Sequence, residues 1–117
     1  MKSMKEHDVQ AVLVSYLLER GWTPTIDNPD HVDIRATRGA ETLIIEVKGT
    51  TSDPYTDTDT LLGQILRRMG DPAARYGIAL PETMRAQAGR LPSRVRHLLD
   101  LTVYLIDDLG RVSLLQE

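Results

Sequence analysis

Glu46 and Lys48 stand two positions apart in the run Thr42 to Lys48, which is otherwise nearly continuous in Leu43, Ile44, Ile45 and Val47. Side chains two apart in a strand project to the same face. An acid and an ammonium on one face of so apolar a strand need a reason, because burying either charge alone is costly. The plain reading is an ion pair at a strand end, where Gly49 opens a loop. Asp33 changes the balance. In the alternating run His31 to Thr37 it shares a side with His31 and Arg35, while Val32, Ile34 and Ala36 take the other. Pairing the two runs around Arg38 to Glu41 brings Asp33 and Glu46 together at one end. Two such carboxylates repel and raise each other's pKa unless a cation lies between them. Oxygen donors of this kind suit Mg²⁺ or Mn²⁺, with water, backbone or substrate phosphate in the remaining positions. A neighbouring ammonium can orient an attacking water and offset charge building on a phosphate. Together these groups describe metal-assisted phosphodiester hydrolysis.

At these residues the chain resembles the PD-(D/E)xK nuclease superfamily. The matching pieces are Asp33 in His31-Val32-Asp33-Ile34-Arg35-Ala36 and the later Glu46-Val47-Lys48-Gly49. The resemblance runs from the first helix to the strand near Tyr76, and is to small Holliday-junction-resolvase-like and Mrr-like members. It implies an α/β, restriction-endonuclease-like fold: a three-layer core with a mixed central sheet flanked by helices. It also implies Asp33 and Glu46 as ligands of Mg²⁺ or Mn²⁺, the Val47 carbonyl as a third ligand, and Lys48 as the residue that positions the water. Family members often add an acid from the first helix. Glu6 is the candidate here, although a glutamate in a first turn is also a common solvated residue favoured by the helix dipole. Gln10, one turn on and on the same face, stands nearer the family position and is a candidate nucleic-acid contact. Gln64, in the helix after the Glu46–Lys48 strand, matches a functional glutamine of several related nucleases. Its amide suits a phosphate or the attacking water. Arg67 and Arg68 follow and suit a DNA phosphate, with two solvated arginines as the plain alternative.

The implied partner is DNA. One small site would need two copies to cut two strands, so a homodimer is expected, through the last helix or the C-terminal strand. A rival reading keeps the fold without catalysis, as a nucleic-acid- or protein-binding regulator. The net charge of −3 favours it, as does the lack of a clear first-helix acid. In a third reading Glu46 and Lys48 are only an ion pair in a structural or partner-binding domain.

Spacing also indicates the elements that must position these groups. Val9, Val12, Leu13, Tyr16 and Leu17 predict a helix over Lys5 to Arg20, ended by Gly21. Trp22 to Ile26 reads as a short strand and Asp27-Asn28-Pro29-Asp30 as a turn. Gly49 to Thr60 reads as a polar loop, with Asp57, Asp59 or Thr60 capping a helix whose stripe is Leu62, Ile65, Leu66 and Met69. Gly70-Asp71-Pro72 stops that helix, and Tyr76 to Leu80 is an apolar strand. The stretch from Thr42 to Leu80 is long enough for a parallel crossover. Glu82 to Leu99 reads as helical with breaks at Gly89 and Pro92, followed by strands over Leu101 to Ile106 and Arg111 to Leu115.

Composition bounds the rest. The 117 residues, 41% hydrophobic and 26% charged, fit one globular domain spanning 1–117. Cysteine is absent, which excludes disulfides, a thiolate zinc site and a cysteine nucleophile. No run of about 18 apolar residues marks a membrane span, and the charged N-terminus lacks a signal peptide's apolar core, so a cytoplasmic protein is expected. Three of the fourteen basic residues are lysines, Lys2, Lys5 and Lys48, and the rest are arginines. The acidic balance argues against a general nucleic-acid coat protein but not against a local basic face. Arg85, Arg90, Arg94 and Arg96 are a candidate for such a face. His7, His31 and His97 show no metal-ligand spacing, and no phosphate loop of the ATPase type is present.

Overall fold

The structure is a computed structural model that describes residues 3–116; Met1, Lys2 and Glu117 lie outside the described residues. Helix α1 runs Glu6–Glu19 and buries Val9, Leu13 and Leu17 along one stripe. Gly21, at φ 85, turns the chain into β1 (Thr23–Thr25). Strands β2 (Ile34–Arg38) and β3 (Glu41–Val47) form an antiparallel hairpin that closes at Arg38 opposite Glu41. Gly39, at φ 59, supplies the left-handed residue such a tight loop requires. Helix α2 (Pro54–Leu66) then carries the chain to β4 (Arg75–Pro81), which pairs parallel to β3 with Val47 opposite Ala79. A 3₁₀ turn over Glu82–Met84 and two short helices, α3 (Arg85–Ala88) and α4 (Ser93–Leu98), lead to β5 (Leu101–Ile106), parallel to β4. Strand β6 (Val112–Leu114) closes the sheet antiparallel.

The six strands lie in the spatial order β1-β2-β3-β4-β5-β6, a mixed sheet with helices on both faces. This is the three-layer α/β arrangement expected from the sequence. On one face Val9, Leu13 and Leu17 of α1 meet Ile34, Ala36, Leu43, Ile45 and Val47. On the other, Leu61 and Ile65 of α2 and Ala88 of α3 meet Ile44, Ile78, Leu80 and Leu105. Strand β3 therefore sends alternate residues to opposite layers, and Glu46 falls on the α2 side with Ile44. Among the described residues no helix is long and apolar enough to cross a membrane.

The structure corrects the sequence reading in four places. Helix α2 begins earlier than expected, because Asp53 rather than Asp57, Asp59 or Thr60 caps it, accepting from the Thr56 amide at 3.3 Å, with Pro54 opening the first turn. Its buried face is Thr58, Leu61 and Ile65, and Leu66 of the expected stripe is 51% exposed. Val32 packs in the α2 layer while Ile34 and Ala36 pack in the α1 layer. The expected alternation fails there because His31 takes a left-handed φ of 56 and β2 starts only at Ile34. Finally, Arg85, Arg90, Arg94 and Arg96 do not make one basic face. Arg85 pairs with Glu82 at 2.7 Å, Arg90 lies 5.1 Å over the Tyr55 ring, and Arg96 is buried.

Candidate active site

Asp33 is the last residue before β2, and it is fixed from several sides. Its backbone N–H donates to Glu46 Oε2 at 3.3 Å, and its own carboxylate oxygen Oδ2 accepts from the Val47 N–H at 2.8 Å. The two acids are thus laced to each other's strands rather than merely adjacent. From α1, the Gln10 amide donates to the Asp33 carbonyl at 2.9 Å. Ahead of Asp33, the buried Asn28 side chain donates to the carbonyls of Thr25, Ile26 and Val32 and accepts from the Val32 N–H. That knot sets the entry of the chain into β2. It is the role the Asn-Pro turn composition did not reveal.

Glu46 is buried on the α2 face of β3, with its Oε1 held by Arg68 Nε at 3.0 Å. Burial pushes the Glu46 carboxyl above its ordinary value, and the hydrogen bond and charge of Asp33 push it further, against the opposing pull of Arg68 and the Asp33 amide. Lys48 follows the last β3 residue and is half-buried; its amide joins the sheet by donating to the Ala79 carbonyl at 2.9 Å. Among the described residues its ammonium makes no hydrogen bond and no ion pair within 4.0 Å. Glu6 enters the same electrostatic field. Partial burial raises its pKa, the charge of Asp33 raises it further, and Lys48 pulls it down.

Glu6 owes its place to Gly49. A Cβ on Gly49 would stand 2.5 Å from the Glu6 nitrogen and 2.7 Å from the Met4 carbonyl oxygen, so only glycine allows this approach. Next to it, the Thr50 N–H donates to the Met4 carbonyl at 2.7 Å and the Met4 N–H donates to Thr50 Oγ1 at 2.9 Å. The start of α1 is thereby pinned beside the end of β3. The signal for this was a glycine directly after Glu46-Val47-Lys48.

Asp33, Glu46, Lys48 and Glu6 are therefore brought to one end of the sheet, with the Val47 amide bonded into the cluster. Gln10 binds the Asp33 backbone, and Arg68 binds a carboxylate. Gln64 is exposed one turn before Arg68, and its amide makes no hydrogen bond among the described residues. Arg67 is exposed at the C-terminal end of α2. His31 is exposed in the loop ahead of Asp33. Among the described residues no group of three or more His, Cys, Asp or Glu side chains is disposed to hold a metal ion. The donor set is instead two crowded carboxylates, Asp33 and Glu46, one of them with its pKa raised. That is the chemistry a hard divalent cation relieves.

No family model matches the chain, and no curated protein matches it. Two solved structures share its fold. One is an XisH family protein from Nostoc punctiforme, 21% identical, covering 92% of this chain and 98% of its own, with a TM-score of 0.65. The other is an fdxN element excision controlling factor protein from Anabaena variabilis, 19% identical, with the same coverage and a TM-score of 0.59.

Proposed function

We propose that the chain is a Mg²⁺- or Mn²⁺-dependent DNA endonuclease of the PD-(D/E)xK type. The observation that carries this reading is a half-buried Lys48, unpaired among the described residues, at the end of the sheet where Asp33 and Glu46 meet and where burial, then Asp33, holds Glu46 above its ordinary pKa. Asp33 and Glu46 would hold the ion, with the Val47 carbonyl as a third donor. When bound, the ion would supply Lewis-acid stabilisation of the phosphodiester and activation of water. The residues of the chain do the rest. Val47 and Gln10 hold Asp33 in place through its carboxylate and its carbonyl. Lys48 offers an ammonium to an attacking water or to phosphate charge. Glu6 lies in the field of Asp33 and Lys48 at this end of the sheet, and Gln64 and Arg67, exposed in and just after the last turn of α2, would meet the substrate from there. One structural neighbour is described as a factor controlling element excision, which is compatible with work on DNA.

The test is incubation of the purified protein with branched, single-stranded and duplex DNA in Mg²⁺ or Mn²⁺. Cleavage is expected, with Lys48→Ala slower by about 100-fold or more and Asp33→Ala losing Mn²⁺ binding in calorimetry. Undiminished cleavage by Lys48→Ala defeats the mechanism.

The Arg68–Glu46 pair favours a second reading. A guanidinium already neutralises the buried carboxylate, as in a nuclease fold used only for binding nucleic acid or protein. Absence of Mn²⁺ heat in the wild-type protein, with DNA binding retained in Asp33→Ala, selects that reading. In the nuclease reading two copies act together, one for each strand.

A further inference from the structure

Arg96 is buried, with 6% of its surface exposed, and its Nη1 has no hydrogen-bond partner. A guanidinium keeps its charge at any pH the protein survives, and a buried charge without a partner is strongly unfavourable. Yet no carboxylate among the described residues lies within 4.0 Å of it. Arg96 instead lines an open cavity of about 270 Å³, together with Arg75, His97, Asp100 and Thr102. Arg75 is shared with Glu41 at 3.3 Å and with Asp100 at 3.8 Å. Among the described residues Asp100 is the acid that lines the cavity, and its side chain is 62% exposed and turned to Arg75. Among the described residues two guanidiniums and the His97 imidazole therefore line this space, with the solvated Asp100 carboxylate at the rim.

We infer that this cavity is a binding site for a phosphate-type oxyanion, with the forked donors of Arg96 at its base and Arg75 and His97 beside it. A planar fork of N–H donors matches tetrahedral oxyanions. The anion would complete a buried guanidinium that the described residues leave unmatched. The site lies at the start of β4 and β5, where Arg75 stands opposite Leu43 and Tyr76 opposite Leu101. Asp33, Glu46 and Lys48 lie at the other end of the same strands, where Val47 stands opposite Ala79. The inference is independent of the nuclease reading. The same chemistry is offered by a free phosphate or phosphomonoester and by a nucleic-acid backbone phosphate.

The test is thermal unfolding of the full chain in buffer free of phosphate, sulfate and carboxylates, at constant ionic strength. Inorganic phosphate at about ten times its dissociation constant is expected to raise Tm by about 6 °C over matching chloride. Arg96→Met is expected to lose this response and to melt no lower than wild type without phosphate, because it removes an unmatched buried charge. Should that variant fail to fold, Arg75→Gln is expected to weaken phosphate binding at least threefold. The response is read without a divalent cation or DNA cleavage, so failure here and failure of the nuclease reading are separate events. A short DNA duplex displaced by phosphate and weakened by Arg96→Met identifies a backbone phosphate as the ligand. Phosphate binding that leaves duplex binding unchanged identifies a free phosphate. A wild-type Tm that rises no more in phosphate than in chloride overturns the inference, as does an Arg96→Met protein that responds as the wild type does.

Discussion

Arg68 decides how Glu46 behaves. Sequence spacing placed it on the edge of α2 as a phosphate contact, and the structure places its Nε 3.0 Å from Glu46 Oε1. A cation entering the site must share or displace that guanidinium. Arg68→Ala is expected to tighten Mn²⁺ binding by about tenfold, roughly the worth of one charge-assisted hydrogen bond no longer in competition. Calorimetric titration at neutral pH checks it; weaker binding would mean that Arg68 positions Glu46 rather than competes for it. The same substitution has a pH signature. Glu46 is raised in the folded state, so the native protein holds that proton more tightly than the unfolded chain does. Stability from this group is therefore full below the ordinary carboxylate range and declines as pH rises through the raised value. Arg68 opposes the shift, so removing it widens that window. Arg68→Ala is expected to lose more stability at pH 8 than at pH 5 in denaturant titrations.

At the scale of elements, the site depends on how segments are joined. Asp33, Glu46 and Lys48 were legible in the sequence because strand alternation and a short hairpin require only local pattern. The contribution of α1 was only half legible. Glu6 was a candidate acid, yet what brings it near Lys48 is a backbone approach at Gly49 and the Met4–Thr50 bonds, and contacts between residues so far apart leave no periodic trace. The start of α2 was misplaced for a related reason. Asp53-Pro54 is a good capping pair, but the threonine- and aspartate-rich stretch around it offered several. The Asn28 knot was invisible because its partners are mostly main-chain carbonyls, which no side-chain pattern announces. Gly49→Ala is expected to destabilise the protein by about 1–3 kcal/mol through overpacking. It is also expected to lower any nuclease activity, because the start of α1 must move and carry Glu6 with it. Urea unfolding and cleavage assays at a temperature where the variant is folded separate the two effects.

For the whole molecule, the layered α/β architecture followed from the order of amphipathic segments, and the two solved neighbours carry the same fold across 92% of the chain. Assembly did not follow from it. Exposed Leu98 and Leu109 flank the region where the sequence suggested self-association. The proposed pairing of two copies predicts a particle of twice 13.1 kDa by light scattering, at least in the presence of a short duplex and Mg²⁺. A particle of 13.1 kDa under both conditions restricts the chain to nicking one strand at a time.

Every strand of the sheet pairs with its neighbours in sequence, so no strand has to be inserted between two already joined. A chain emerging from the ribosome can add strands one after another, each finding its partner already present. Helix α1 is the exception, because it touches all six strands. It precedes every strand in sequence and is thus the last to complete its packing, and until β6 is released its apolar stripe stays open on one side. Refolding from denaturant should therefore form the hairpin before α1 is protected from hydrogen exchange. The end of the sheet that gathers Glu6 with Lys48 would then mature only as the molecule closes, leaving nascent chains without a finished site.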